Sequence, residues 1–245
     1  MNIALIGYGK MGKEIERVAH ERKIAVKQIF TLENNLGAIG ITRKSLSDVD
    51  VCIDFSVPTA VVENVQAVAD CGKSIVIGTT GWYDKLKEVE KIVKEKKIGL
   101  LYSPNFSLGM NIFYHILTVA SHLIDKYDFY DVAVNEIHHK SKVDSPSGTA
   151  LALGQMILQN IRRKKSVISE TLHKDIKPDQ LHITSTRVGH VVGVHSVIFD
   201  SEGDSIEMIH RAKNRAGFAL GAITAAEWLK GKKGVYTMKD VITSL

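Results

Sequence analysis

The chain has 245 residues, 44% of them apolar and 24% charged, with a formal net charge of +5. That balance belongs to a soluble globular protein with one sizeable core or two smaller ones, and it excludes a disordered chain or a membrane-spanning one. The two cysteines, Cys52 and Cys71, form neither a CxxC pair nor a zinc-spaced cluster, which excludes a disulfide scaffold and points to a reducing compartment.

Much of the excess positive charge sits in three runs, Lys94 to Lys97, Arg162 to Lys165 and Lys230 to Lys233. Each follows an apolar-periodic segment, so each is expected to be a solvated helix end, where cations offset the helix dipole. No aromatic residues interleave them as a nucleic-acid platform would require, so no nucleic-acid partner is expected. No basic region precedes the first apolar run. The expected location is the cytoplasm, without a membrane partner.

Met1 to Ile6 is a short apolar run that ends in Gly7-Tyr8-Gly9-Lys10-Met11-Gly12, and helical periodicity follows through Ile15, Val18 and Ala19. A strand, a glycine turn and a helix in that order are the fingerprint of a dinucleotide site. The first glycine makes the tight turn, the second lets a pyrophosphate approach the backbone, and the third lets helix and strand pack closely. Ala25 to Phe30 reads as the second strand. The acid that would meet the ribose hydroxyls comes a few residues late, at Glu33, whereas Lys10 could instead meet a 2′-phosphate.

Val49 to Phe55, Ser74 to Ile77 and Ile98 to Tyr102 read as further strands, with helices through Val61 to Val68 and Trp82 to Lys96 between them. Near-continuous apolar strands alternating with helices predict a Rossmann-like, doubly wound parallel sheet. The loops at Gly7, Phe55, Gly78-Thr79-Thr80-Gly81 and Ser103-Pro104-Asn105-Phe106 then lie at its carboxyl edge, where such sheets bind ligands.

After an amphipathic helix over Leu108 to Ile124 the pattern changes. Val132 to His138, Gln180 to Arg187, Gly193 to Phe199 and Ser205 to His210 read as strands, with a hairpin turn at Ser201-Glu202-Gly203. This half is expected to be α+β and mainly antiparallel. From Asn214 a final helix rich in small residues is expected to pack back on the first domain. The boundaries are thus 1–108 with 215–245 for the dinucleotide domain and 109–214 for the second.

Between the first two strands of the second half lies E-I-H-H-K-S-K-V-D-S-P-S-G-T-A-L, residues 136–151. It places two histidines, two lysines and an acid within a few residues of a helix start. Asp144 or Ser145 can cap a helix whose first residue is Pro146. The free N–H groups around Ser147, Gly148 and Thr149 would form an anion cradle. A polar loop before a capped helix would look similar, but the density of titratable groups favours a site. His138 and His139 are adjacent and lack metal-binding helical spacing, so no metal is expected.

These blocks together resemble the dihydrodipicolinate reductase family. The resemblance spans essentially the whole chain. It is carried by residues 136–150, with support from G-Y-G-K-M-G at 7–12, G-T-T-G at 78–81, S-P-N-F-S at 103–107, R-V-G-H-V-V-G-V-H at 187–195 and R-A-G-F-A-L-G-A at 215–222. The resemblance implies a Rossmann-like domain, a second domain on a mixed four-stranded sheet and a homotetramer built through that sheet. It also implies reduction of a cyclic dicarboxylate imine with NADH or NADPH on the lysine pathway. His138 matches the family's acid/base, Lys142 its second proton donor, and His139 a substrate-binding histidine. Gly148 and Thr149 match its carboxylate site. Gly7, Tyr8, Gly9, Lys10, Met11 and Gly12 match the pyrophosphate turn. Gly78, Thr79, Thr80, Ser103, Pro104, Asn105 and Phe106 border its nicotinamide end. A different amino-acid dehydrogenase of similar build, such as an aspartate dehydrogenase-like enzyme, is the alternative.

Overall fold

The computed structural model describes residues 1–244 and divides into two compact units, Met1–Asn111 with the chain from Arg215 onward, and Ile112–Asn214.

The first unit begins with β1 (Asn2–Ile6), α1 (Lys10–Glu21) and β2 (Ala25–Phe30). There follow β3 (Val51–Asp54), α2 (Val61–Asp70), β4 (Ser74–Ile77), α3 (Leu86–Lys96) and β5 (Gly99–Tyr102). Ile3 to Ile6, Val51 to Ile53 and Ile75 to Ile77 are all buried. Strands apolar on both faces need helices on both faces, which is why the sheet is parallel. Ala4 and Ile6 pack with Val61, Val65 and Val89, and Ile3 and Leu5 pack with Ile15, Val18, Ala222 and Ile223.

The chain returns to this unit through α6 (Ala216–Leu229), then adds β11 (Gly234–Thr237) and α7 (Met238–Thr243). The strand order is β11-β5-β4-β3-β1-β2, with every pairing parallel. The helix from Asn214 is therefore not the last element. A four-residue strand without alternation gives little periodic signal, although Thr237 and Asp240 do form the capping box that starts α7. The order reverses between β1 and β3, so the loops after Ile6 and Asp54 flank the crevice where such sheets bind ligands.

The second unit takes most of α4 (Leu108–Ile124), then β6 (Asp131–His138), α5 (Gly148–Asn160), β7 (Ser166–Ile168), β8 (Gln180–Arg187), β9 (Gly193–Asp200) and β10 (Ser205–Ala212). Its sheet has five strands in the order β10-β9-β6-β8-β7, not four. The fifth is β7, three residues beside β8, too short to show alternation. The sheet is evenly mixed: β6/β8 and β7/β8 run parallel, β6/β9 and β9/β10 antiparallel.

Alternation along β6 buries Val132, Val134, Glu136 and His138 on one face. Helix α5 covers part of that face through Ala150, Leu153 and Ile157, all fully buried. Gly154 permits the close approach, since a Cβ there would stand 2.7 Å from Ile183 Cδ1.

The run after α5 is only in part the solvated helix end that its composition implied, since Arg162 and Lys165 are exposed but Lys164 is not. Lys164 is 2% exposed, and its Nζ donates to the Gln180 carbonyl at 2.7 Å and pairs with Asp131 Oδ1 at 2.6 Å. Arg162 Nε pairs with Asp125 Oδ2 at 2.7 Å. These cations clasp the ends of α4, β6 and β8, because a buried ammonium is tolerated only when its donors are met.

Candidate functional site

In the first unit the glycine turn wraps the end of β1. Gly7 has φ +89°, and a Cβ there would stand 2.4 Å from the Phe55 carbonyl oxygen; one on Gly12 would stand 2.4 Å from that of Gly7. A Cβ on Gly9 would meet nothing within 4 Å. Gly7 and Gly12 thus serve the chain itself, whereas Gly9 opens onto free space. Gly9 also caps α1, whose first intrahelical bond runs from the Lys13 N–H to the Gly9 carbonyl. The N–H groups of Lys10, Met11 and Gly12 are left for an anion.

A cleft of about 460 Å³ opens from this turn, lined by Tyr8, Gly9, Thr31, Glu33, Phe55 and Asn64. Glu33 is exposed on the turn after β2. Tyr8 hydrogen-bonds Glu16, and Lys13 lies 5.8 Å from its ring centroid.

The floor of the crevice is organised by a residue that the sequence did not single out. Asp54, fully buried at the end of β3, accepts hydrogen bonds from the Ser56 N–H and hydroxyl, Thr79 Oγ1 and Asn64 Nδ2. Burial pushes its carboxyl up and these donors oppose that. The Thr79 hydroxyl is therefore committed to the protein, while Thr80 is exposed. Gly78 makes room for the Phe55 ring, 2.1 Å from where its Cβ would be. Ser103 Oγ donates to the Asn105 carbonyl at 2.8 Å, and Asn105 Oδ1 accepts from the Ser107 N–H at 2.9 Å. Those bonds fold the Ser103–Phe106 loop on itself. They leave Pro104 exposed and bury Phe106 against Phe55 at 5.8 Å between centroids.

In the second unit the polar block converges on the end of β6. Register pairs Glu136 with Ser185 on β8 and His195 on β9, and pairs His138 with Arg187. Glu136 Oε2 bonds His138 Nδ1. Oε1 accepts from Arg187 Nη2 at 2.8 Å and from the Ser147 N–H at 3.2 Å. Burial alone would raise the Glu136 carboxyl, but Arg187 first, then the neighbouring Ser185 hydroxyl and His138, outweigh it and hold the group at about 2. His195 stands edge-on to His138, with ring centroids 5.1 Å apart, and its Nε2 lies 3.3 Å from Ser147 Oγ. Burial and then the neighbouring His138 push His195 down to about 4. Its Nδ1 is buried without a partner among the described residues.

Beyond β6 the chain turns. His139 Nδ1 lies 2.9 Å from Ser141 Oγ, and Lys142 Nζ pairs with Asp144 Oδ1 at 2.7 Å. The cap of α5 is Ser147, whose hydroxyl accepts from the Ala150 N–H at 3.2 Å, rather than Asp144 or Ser145. Pro146 lies just before the helix and Gly148 is its first residue. Serine in extended backbone caps as well as aspartate, and the register of α5 against β6 selects it. The helix itself uses neither the Gly148 nor the Thr149 N–H. The Gly148 N–H helps Lys142 to hold the Asp144 carboxyl below its ordinary range, so a carboxylate of the chain itself lies beside the expected anion cradle. Burial pushes the Tyr114 phenol of α4 up, and the neighbouring Thr149 hydroxyl opposes that.

His138, Lys142 and the head of α5 are thus brought together by the sheet end, a tight loop and one helix start. Glu136, Arg187, His195 and Ser147 complete the cluster. A period of two already placed Glu136 on the face of His138, but which strands flank β6 is not written in local sequence.

A parallel nucleotide-type sheet with its glycine turn, joined to a mixed sheet bearing a cationic, histidine-containing site, defines a two-domain nicotinamide-dependent oxidoreductase. Residues 1–106 match the family description "Dihydrodipicolinate reductase, N-terminus" and residues 109–242 match "Dihydrodipicolinate reductase, C-terminus". The chain belongs to the dihydrodipicolinate reductase family. It is 41% identical to the 4-hydroxy-tetrahydrodipicolinate reductase of Christiangramia forsetii, over 100% of this chain and 99% of that one. With that of Archaeoglobus fulgidus it shares 35% identity, over 99% and 100%. The fold superposes on dipicolinate-bound dihydrodipicolinate reductase from Paenisporosarcina sp. TG-14 with a TM-score of 0.80 and 23% identity, covering 98% of each chain.

Proposed function

We propose that this protein reduces 4-hydroxy-tetrahydrodipicolinate with NADH or NADPH, in the cytoplasm, on the diaminopimelate route to lysine. The observation that carries the reading is the cluster of His138, Lys142 and the α5 N-terminus at one end of the second sheet. A cyclic dicarboxylate needs cationic charge and free N–H donors for its carboxylates. Reduction of its conjugated imine needs a proton where negative charge builds.

The first unit fits a dinucleotide, because Gly9 faces open space beside three unused helix N–H groups. Bound there, the nicotinamide supplies the hydride. Gly7 and Gly12 shape the turn for the pyrophosphate, with Tyr8, Lys10 and Met11 around it. Glu33 takes the adenosine ribose, and Lys10 competes for that role when a 2′-phosphate is present. Gly78, Thr79, Thr80 and the Ser103–Phe106 loop border the nicotinamide, through backbone at Thr79 and through the exposed Thr80 and Pro104.

In the second unit His138 protonates the reduced substrate or polarises it, and Lys142 adds charge and a second proton. His139, Gly148 and Thr149 hold the substrate carboxylates. The decisive experiment couples the purified protein to dihydrodipicolinate synthase, which generates the unstable substrate, and follows loss of reduced nicotinamide absorbance. Oxidation that depends on the synthase supports the reading; none with either cofactor refutes it.

The protein assembles as a homotetramer through the second unit. Ile112, Ile116, Val119 and Leu123 lie 46% to 53% exposed at helical spacing along α4. Strand β10 ends the sheet as an unpaired edge, with Ile206 48% and Ile209 43% exposed. Isolated domains rarely leave a continuous apolar stripe and a long edge strand uncovered.

A further inference from the structure

Glu136 is fully buried and lies behind the two groups assigned to proton transfer, not beside open space. Its two oxygens have separate duties. Oε1 is filled by Arg187 Nη2 and the Ser147 N–H, so Oε2 is left for His138 Nδ1. The guanidinium of Arg187 reaches further. Its Nη2 also donates to the Asp144 carbonyl at 2.6 Å, and its Nε to the Lys142 carbonyl at 3.2 Å. One cation from β8 therefore fixes the carboxylate behind His138 and the backbone of the loop that carries Lys142. The planar fork of arginine suits this, because several acceptors can be met from one rigid group.

Resting on the acid–base reading of His138, we propose that Glu136 and Arg187 are the positioning pair of the site: they lock His138 with its proton on Nδ1, so that Nε2 is the nitrogen that exchanges a proton with substrate, and they fix the Lys142 loop beside it. The reason is the inventory of donors. A carboxylate held by an arginine and a backbone N–H can only accept, so its imidazole partner carries hydrogen on Nδ1 in either charge state. The proton that comes and goes is then the one on Nε2. That side of the ring is kept clear by Gly193, where a Cβ would stand 3.0 Å from Nε2. The other titratable neighbours of the ring do not compete for Nδ1: His195 of β9 meets it edge-on, and Lys142 is held by Asp144.

The test uses the full-length enzyme with NADPH and the coupled substrate supply. In folded Glu136→Gln, kcat should fall roughly 10- to 10³-fold, as expected when the group that orients a catalytic imidazole loses its charge. The KM for the dicarboxylate and the Kd for NADPH should stay within about threefold. In a His138→Gln background, adding Glu136→Gln should cost nothing further, because there is no ring left to orient. Arg187→Lys, which keeps the charge and loses the fork, should lower kcat and raise KM together, since it also frees the loop. Nitrogen-15 shifts of histidine-labelled wild-type enzyme supply a readout that needs no variant to fold: His138 should show a protonated Nδ1 throughout the working pH range. An unprotonated Nδ1 there overturns the proposal, and so does full kcat in folded Glu136→Gln beside a crippled His138→Gln. Full kcat in His138→Gln instead overturns the acid–base reading itself, and the positioning role with it.

Discussion

Lys142 Nζ and Asp144 Oδ1 stand 2.7 Å apart at the foot of α5, beside the first N–H of the helix at Gly148. Lys142 holds the Asp144 carboxyl below its usual range. A substrate carboxylate bound at Lys142 and Gly148 must displace this internal one. Asp144 is exposed, and an exposed ion pair is worth about 0–1 kcal/mol, so displacement is cheap but not free. Asp144→Asn keeps an acceptor beside Gly148 and removes the competing charge. It should lower KM for the dicarboxylate by up to about fivefold with kcat unchanged. The gap to wild type should narrow as salt rises, since exposed pairs are screened. A raised KM would mean that Asp144 assists binding instead of opposing it.

The three glycines of the turn should separate by cofactor and by fold. Gly9→Val projects into open space, so the protein should keep its melting temperature and lose NADH and NADPH binding in fluorescence titration. Gly12→Ala pushes a methyl group to 2.4 Å from the Gly7 carbonyl oxygen, so it should cost stability, by about 1–3 kcal/mol in denaturant unfolding. Undiminished cofactor affinity in folded Gly9→Val would remove the pyrophosphate assignment.

How far the sequence disclosed this arrangement differs between the two units. In the first, strands β1 to β5 and the glycine turn were readable because parallel buried strands are short apolar runs and the turn has its own chemistry. What escaped was the chain's last part, β11, four residues without alternation, and the short α7 after it. In the second unit the block around His138 was legible as a dense titratable stretch beside a helix start. Its partners were not. Arg187 and His195 lie 49 and 57 residues beyond His138 in sequence, and only the β6/β8 and β6/β9 registers bring them beside it. Serine at 147 offered a cap as good as Asp144, and packing of α5 on β6 decided between them. Lys164 showed the same limit, since a cation after a helix reads as solvated until its acceptors, Asp131 and the Gln180 carbonyl, are placed by the sheet.

Acid should destabilise the protein in two overlapping stages. His195 is held neutral, at about 4 against an ordinary 6.5, chiefly by burial. The unfolded chain takes up that proton below pH 6.5 while the folded chain does not, so stability is full above 6.5 and falls between 6.5 and 4. The loss from this group is of order 3 kcal/mol. Glu136, at about 2 against 4.5, then withdraws its contribution between pH 4.5 and 2. Denaturant unfolding across pH should show the first slope in wild type and a flatter one in His195→Gln. An unchanged slope would assign the upper stage to another group.

Assembly can be tested on the α4 stripe. Ile116→Glu and Val119→Lys place charges at the centre of the exposed apolar row on the outer side of the helix, where a monomer would tolerate them. If the second unit forms the tetramer through this row, sedimentation of the double variant should show smaller species with the fold intact. A wild-type monomer at micromolar concentration would refute the tetramer outright.

The last prediction separates the roles of the polar block by kinetics. His138→Gln and Lys142→Ala should each lower kcat strongly, since general acid–base assistance is typically worth ~10²–10⁴-fold. Neither belongs to the glycine turn, so the Kd for NADPH should hold. His139 lies partly exposed, and among the described residues its ring bonds only Ser141, as that of a contact residue would. His139→Ala should therefore raise KM more than it lowers kcat. A His138→Gln, Lys142→Ala double variant no slower than either single one would show the two acting as one unit, as their common tie through Glu136 and Arg187 leads one to expect. If Lys142→Ala kept kcat and raised only KM, the lysine would be a carboxylate anchor without a proton role. If His138→Gln kept full kcat, the chemistry would lie outside this stretch of the second sheet altogether.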